Sequence, residues 1–322
     1  MSPRAVLLLS ALCLALFLAS LALPFGDIRG VAARDSELAT IILVELRLPR
    51  TLLALLIGAM LGSAGAGLQA LLGNPLASPD LVGTSSGAAL GAIVTGYLIG
   101  LASPFAMMLG AMIGALAALI LLLALAGSHA STATLLLAGV ALSLLTGALS
   151  ALALAIAPSP FAFYDAYDWL MGSLVDRSLP QLLFAAPVMV ASILLLWSKT
   201  AALDALALGE ESASAMGYPL VSIRRLIILA AGLGVGAAVS VAGAIGFIGL
   251  VAPYLARGLT RGLPGRALLP AALIGAVLLL AADILVRIVP AGRALPIGIV
   301  TALAGAPFFL SLVMRGRAEA AR

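Results

Sequence analysis

Charge is what this chain has least of. Only 9% of its 322 residues are charged, 17 Lys and Arg against 13 Asp and Glu, where an ordinary soluble domain carries roughly 25%. The shortage runs along the whole chain, so no polar shell is available to enclose a core of this size. That excludes a soluble enzyme and a disordered chain. It excludes a nucleic-acid-binding domain too, because Lys199 is the single lysine and the arginines are scattered rather than gathered into a basic stripe. One cysteine, Cys13, allows no intrachain disulfide, and with one histidine, His129, it allows no Cys/His metal site. A nucleotide-binding Walker A loop is also missing, since Lys199-Thr200 lacks the glycines that should precede it.

What is present is hydrophobic, 63% of the chain. A helix crossing the hydrocarbon layer needs about 20 mostly apolar residues. Ten runs meet or approach that length, at roughly 5–23, 50–72, 81–100, 104–126, 132–157, 180–198, 222–242, 246–261, 267–289 and 295–314. The expected fold is therefore an all-α polytopic membrane protein of about ten transmembrane helices, forming one domain over 1–322. The eighth run is short and marked by Gly246, Gly249 and Pro253, which predicts a broken or partly inserted helix. The first run is read as a retained helix, because its apolar stretch exceeds the usual 7–15 residues of a cleaved leader. With the N-terminus inside, ten Lys and Arg fall on inner segments and seven on outer ones. That bias favours cytoplasmic termini. Small residues four apart, at Gly58/Gly62, Gly83/Gly87/Gly91, Gly110/Gly114 and Gly258/Gly262, predict closely packed helix backbones.

Three features bear on chemistry. Gly83-Thr84-Ser85-Ser86-Gly87 fits the G-x-S-x-G pattern of a serine nucleophile, but a loop and a helix surround it where that pattern needs a strand first. The glycines and serines there read as a helix start and close packing. Asp283 lies deep in the ninth run with Arg287 one turn later, which leaves two readings open: a structural ion pair, or a coupling-ion site of a secondary transporter. The stretch 203–218 is too polar to span. It predicts two short helices broken at Gly209 and stopped at Gly217 and Pro219, with Leu206, Ala207, Ala213 and Met216 on one face. An acidic helix does not suit a lipid surface, so a docking element for a cytoplasmic partner fits this segment better.

Five stretches, in order along nearly the whole chain, resemble the FecCD-type permease subunits of binding-protein-dependent ABC importers. They are Arg47-Leu48-Pro49-Arg50, residues 73–83 (GNPLASPDLVG), residues 206–217, residues 246–253 (GFIGLVAP) and residues 295–307 (LPIGIVTALAGAP). The resemblance implies a type II importer permease in a bacterial cytoplasmic (inner) membrane. It would pair with a second, identical or homologous permease and carry a bulky metal chelate by alternating access, with ferric siderophore expected first and haem or cobalamin after it. It also implies no bond chemistry and no cofactor in this chain, ATP and magnesium being held by two cytoplasmic ATPase subunits. The ATPase-coupling residues would be Leu206, Leu208, Gly209, Glu210, Ala213, Met216 and Gly217. Arg47, Arg50 and Arg287 would meet a periplasmic or lipid-anchored substrate-binding protein, and Asp283 would then support Arg287. Asn74, Pro75, Pro79, Gly83, Gly246, Gly249, Pro253, Pro296, Gly298 and Pro307 are the structural motif residues. Departures from the family pattern are Tyr254 for a common His, Ala244 for a frequent Pro and Ala294 for a frequent Glu.

Overall fold

A computed structural model describes residues 3–23, 30, 33–101, 103–127, 132–156, 166–167, 169–260, 262–289 and 295–320, and among these it is helical with no strand. The helices are α1 (Pro3–Ala22), α2 (Ser36–Leu71), α3 (Thr84–Ile93), α4 (Pro104–Ala126), α5 (Thr132–Ala155), α6 (Leu179–Trp197), α7 (Thr200–Leu206), α8 (Glu210–Ala215), α9 (Leu220–Ala242), α10 (Ile248–Leu259), α11 (Leu268–Ile288) and α12 (Ile297–Ala320). An apolar medium offers no partner for a free backbone N–H or C=O, so a spanning segment satisfies them internally as helix. Helix ends follow local chemistry. Ser103 accepts from the Ala106 N–H ahead of α4, Ser178 and Gln181 form a capping box on α6, and left-handed Gly127 ends α4.

Among the described residues, seven helices are long and apolar enough to cross a bilayer: α1, α2, α4, α5, α6, α9 and α11. The short α3 and α10, and α12 with its apolar part at Ile297–Phe308, occupy the three remaining apolar runs. One boundary differs from the sequence expectation. Residues 36–49, which lie ahead of the second apolar run, are helical and continuous with it. Asp35 caps them by accepting from Glu37 and Leu38, and a wide π turn at Ile42–Arg47 joins them to the rest. That wide turn comes just ahead of Pro49, whose missing N–H and bulky ring would disrupt a regular α-helix.

α2 and α9 form the buried centre, with α11 packed along α2, whereas α1 exposes Leu7, Leu8 and Leu14. The small-residue spacing acts largely as expected. A side chain on Gly58 or Gly62 would collide with the backbone of α11 at Gly275 or Ala271, and one on Gly91 would meet Gly110 of α4. Gly258 and Gly262 differ: nothing lies within 4 Å of where their side chains would be.

The eighth run forms a short helix that continues through Gly249 and Pro253, and the break lies ahead of it, at 243–247. α9 ends at Ala242, residues 243–247 are non-helical, with positive φ at Gly243 (70°) and Phe247 (67°), and α10 is only 12 residues long. Non-helical backbone at membrane depth persists only when protein encloses it, and two knots do so. At one, the Ser173 N–H donates to the Ala242 carbonyl (2.8 Å) and the Ile297 N–H to the Gly172 carbonyl (2.9 Å). At the other, the Gln69 Nε2 donates to the carbonyls of Ala77 (3.1 Å) and Leu250 (3.4 Å), while Gly249 packs against the Pro79 ring. Pro253 has no N–H for the Gly249 carbonyl four residues back. That carbonyl lies instead against Gly65 of α2, where a methyl group would block it.

Candidate functional site

The two ends of the bundle carry different chemistry. At the first, a cavity of about 330 Å³ is lined by Leu23, Leu46, Arg47, Arg50, Val175, Asp176, Arg177 and Arg287. The three arginines singled out from the sequence come together here, although Arg287 lies more than 230 positions from the other two. Asp283 is fully buried between two of them. Its Oδ1 accepts from the Arg50 Nε (2.8 Å) and faces the Arg50 Nη2 (2.7 Å), and its Oδ2 accepts from the Arg287 Nη2. Arg47 and Arg287 also reach α1. Arg47 Nη1 donates to the carbonyls of Leu21 (3.2 Å) and Leu23 (2.8 Å), and Arg287 Nη1 donates to Ser20 (2.8 Å). These carbonyls belong to the last turn of a helix, where acceptors are left over and cations are favoured. Ser20 and Thr51, both buried, share a hydroxyl hydrogen bond of 2.9 Å beneath them.

Arg177 is the cavity member that sequence reading missed. It sits on the loop ahead of α6, and its Nε donates to the Ser173 carbonyl (3.3 Å). Burial pushes its guanidinium below the ordinary value, partly offset by the neighbouring Asp176 carboxylate. No local motif marks it, because only the fold brings this loop to α2 and α11.

The opposite end carries the 203–218 segment. α7 and α8 are broken at Gly209 (φ 100°) and stopped at Gly217 (φ 87°), left-handed positions that a side chain would strain. Leu208 (67% exposed) and Met216 (59% exposed) face outward, as does Glu210, which pairs with Arg224 at 2.7 Å. Two members of the expected docking face differ. Ala213 is fully buried and Leu206 packs against the core, so both anchor the segment instead of presenting it. Asp204 holds α7 to the start of α11: its Oδ1 accepts from the Gly265 N–H at 2.7 Å. α11 thus joins the two ends, tied to α7 at one and carrying Asp283 and Arg287 at the other.

The remaining motif residues are structural in their contacts. Asn74 Oδ1 accepts from the Leu76 N–H (2.9 Å) beside Pro75, Gly83 turns the chain into α3 (φ 75°), and Gly298 packs on the carbonyls of Met171 and Ala244 just after Pro296. Gly246 lies in the non-helical segment before α10, and Pro307 lies within α12. The serine pattern shows no nucleophile geometry: Ser85 Oγ donates to Asp80 Oδ1 (3.0 Å) and Ser86 Oγ to the Gly83 carbonyl (3.0 Å). His129 falls outside the described residues. A further cavity of about 370 Å³, between α10, α11 and α12, is lined by apolar side chains and Thr301.

A closely packed helical bundle with an unwound central segment and two chemically distinct ends defines a multi-pass membrane protein of transport type. The family model of the FecCD transport family matches residues 7–315, and the chain belongs to that family. It is 44% identical over 277 residues to the vitamin B12 import system permease protein BtuC of Salmonella paratyphi A, covering 84% of this chain and 83% of that one. The protein of the same name from Salmonella newport (strain SL254) is 43% identical over 278 residues, covering 84% and 83%. A solved structure described as an inward-facing conformation of an ABC transporter assigned to the metal-chelate type aligns with a TM-score of 0.86. It is 30% identical and covers 98% of this chain and all of that one.

Proposed function

We propose that the chain is the permease of an ATP-driven importer for a bulky metal chelate, working by alternating access as one of two paired permeases. The observation that carries this is the two-ended construction around α11. One end holds a cluster of guanidinia suited to an acidic binding protein, and the other holds an exposed Leu208/Met216 surface suited to an ATPase. The arginine end then faces outward, and the coupling end and both termini are cytoplasmic. Two ATPase subunits bind ATP and magnesium and seat Leu206 to Gly217. Arg47, Arg50 and Arg287 form the docking surface for a periplasmic or lipid-anchored substrate-binding protein. A ligand shifts a conformational equilibrium only if it binds the two states differently, so the loaded binding protein and ATP each favour one state.

Among chelates, the relatives' names move cobalamin ahead of the ferric siderophore expected from the sequence. The rival ion-coupled reading has less support. Both Asp283 oxygens are engaged by arginines, which leaves no open carboxylate for a passing ion. The test is co-purification of the tagged chain from its host in mild detergent, followed by uptake of labelled cobalamin, ferric siderophore and haem into proteoliposomes. Recovery of an ATPase and ATP-dependent uptake of one chelate are the expected results. Uptake by the chain alone, driven by an ion gradient, would transfer the assignment to Asp283.

A further inference from the structure

Asp80 has no part in either end of the bundle. It lies in the turn Pro79–Val82 between α2 and α3, and it is exposed. Its Oδ1 accepts from the Ser85 Oγ (3.0 Å). Among the described residues its Oδ2 has no hydrogen-bond partner, and no Lys or Arg lies within 4 Å of it.

The helices packed on this turn fix its depth. The Asp80 carbonyl accepts from the Ser143 Oγ (3.3 Å), and the Leu81 carbonyl lies where a side chain on Gly139 would be. Ser143 is the twelfth of the 24 residues of α5, about 17 Å from its start at about 1.5 Å per residue. On the other side α3 lies against α4, with Gly87 packed on Gly114 and on Ala118, eight residues short of the end of that span. A further bond, from the Thr146 Oγ1 to the Ser86 Oγ (2.8 Å), fastens the start of α3 to α5. The turn therefore sits near mid-depth, well inside the ends of two spanning helices.

Lipid is the wrong neighbour for such a group. Carboxylates at that depth face the protein interior or a water-filled cavity, and irregular backbone is tolerated in the same two places. Asp80 is exposed, so its open oxygen faces water. Between paired permeases, water at mid-depth is the transport path. α5 exposes Val140, Leu144 and Leu145, which carry no charge to oppose the carboxylate. Resting on the importer reading, we infer that Asp80 lines the path between the paired permeases and makes it select neutral or cationic chelates over anionic ones. Walls of low dielectric strengthen the field of a charge in a cleft, so one carboxylate from each permease repels a polyanionic chelate at close range.

The experiment uses the assembly that co-purifies with the full chain, in nanodiscs, with and without ATP and magnesium. In a Cys13→Ala background, Ser143→Cys is modified by a cationic trimethylammonium methanethiosulfonate and by its anionic sulfonate counterpart. Both are expected to react, the cation faster. Asp80→Asn is expected to lower the cation-to-anion rate ratio about tenfold, the effect of one nearby charge on probes of opposite sign. Asp80→Cys, labelled in the same way, is expected to react and so to show that the position itself is open to water. No reaction at either position in either condition would overturn the path assignment. An equal rate ratio in the parent and Asp80→Asn would overturn the role of the charge. So would ATP-driven uptake of an anionic ferric tris-catecholate at a rate that Asp80→Asn leaves unchanged. The labelling needs neither cargo nor ATP hydrolysis, so a failure of ATP-driven uptake for every chelate would fall on the importer reading and not on the charged, water-filled surface.

Discussion

Replacing Asp283 by Asn tests the arginine cluster at its most sensitive point. The side chain is fully buried, and the guanidinia it joins are nearly so, Arg287 at 8% and Arg50 at 17% exposure. The amide keeps the shape and removes the charge. Two guanidinia then face each other without an anion, and the amide nitrogen points a donor at one of them. Breaking a buried ion pair by removing one partner costs about 3–5 kcal/mol. At about 1.4 kcal/mol per factor of ten, the folded fraction falls a hundredfold or more relative to the unfolded one. The assay is equilibrium unfolding of the parent and Asp283→Asn in mixed micelles. The double variant Asp283→Asn/Arg287→Gln, which removes one of the orphaned cations, should recover part of the loss. A single variant within about 0.5 kcal/mol of the parent, the range of an ordinary surface change, would refute the structural role. If that variant also lost ion-gradient-driven uptake, Asp283 would be a coupling site after all.

Other outcomes follow from the same contacts. Gly62→Leu should abolish recovery of folded protein by size-exclusion chromatography, because α11 backbone occupies the space, whereas Gly258→Leu should be tolerated with nothing within 4 Å of it. Asp204→Ala strips the acceptor from the buried Gly265 N–H and should cost about 1–3 kcal/mol, read as faster hydrogen exchange at the start of α11. Leu208→Ser with Met216→Ser should reduce ATPase capture and leave thermal stability unchanged, since both side chains are exposed. Ala213→Leu should do the reverse and lower stability first, because Ala213 is fully buried.

Much of the fold was legible because lipid imposes a one-dimensional rule. Low charge and runs of about 20 apolar residues identify membrane helices without reference to partners in space. The shortness of the eighth run was legible for the same local reason, but the break falls at 243–247, which includes Gly246, while Gly249 and Pro253 lie within the helix. The break of the 203–218 segment at Gly209 was equally local. The start of α2 at 36–49 was not, because a cap at Asp35 and a π turn carry helix through a stretch more polar than the span that follows it.

The site was legible only in part. Arg47, Arg50 and Arg287 came from resemblance to a family, and Asp283 from the rule that a charge inside a span needs a reason. Nothing local distinguished Arg177, Ser20 or Asp204 from ordinary loop and helix polar residues, and the sharing of the 203–218 face came out differently at Leu206 and Ala213.

By itself, then, the sequence determined the membrane class, the approximate helix count and the places where helix fails. All three depend on neighbours along the chain. Only the tertiary structure decided which cations are engaged by Asp283 and by the end of α1, and how α11 ties one end of the bundle to the other. Those facts depend on distance in space between residues as far apart as Ser20 and Arg287, which chain order does not encode.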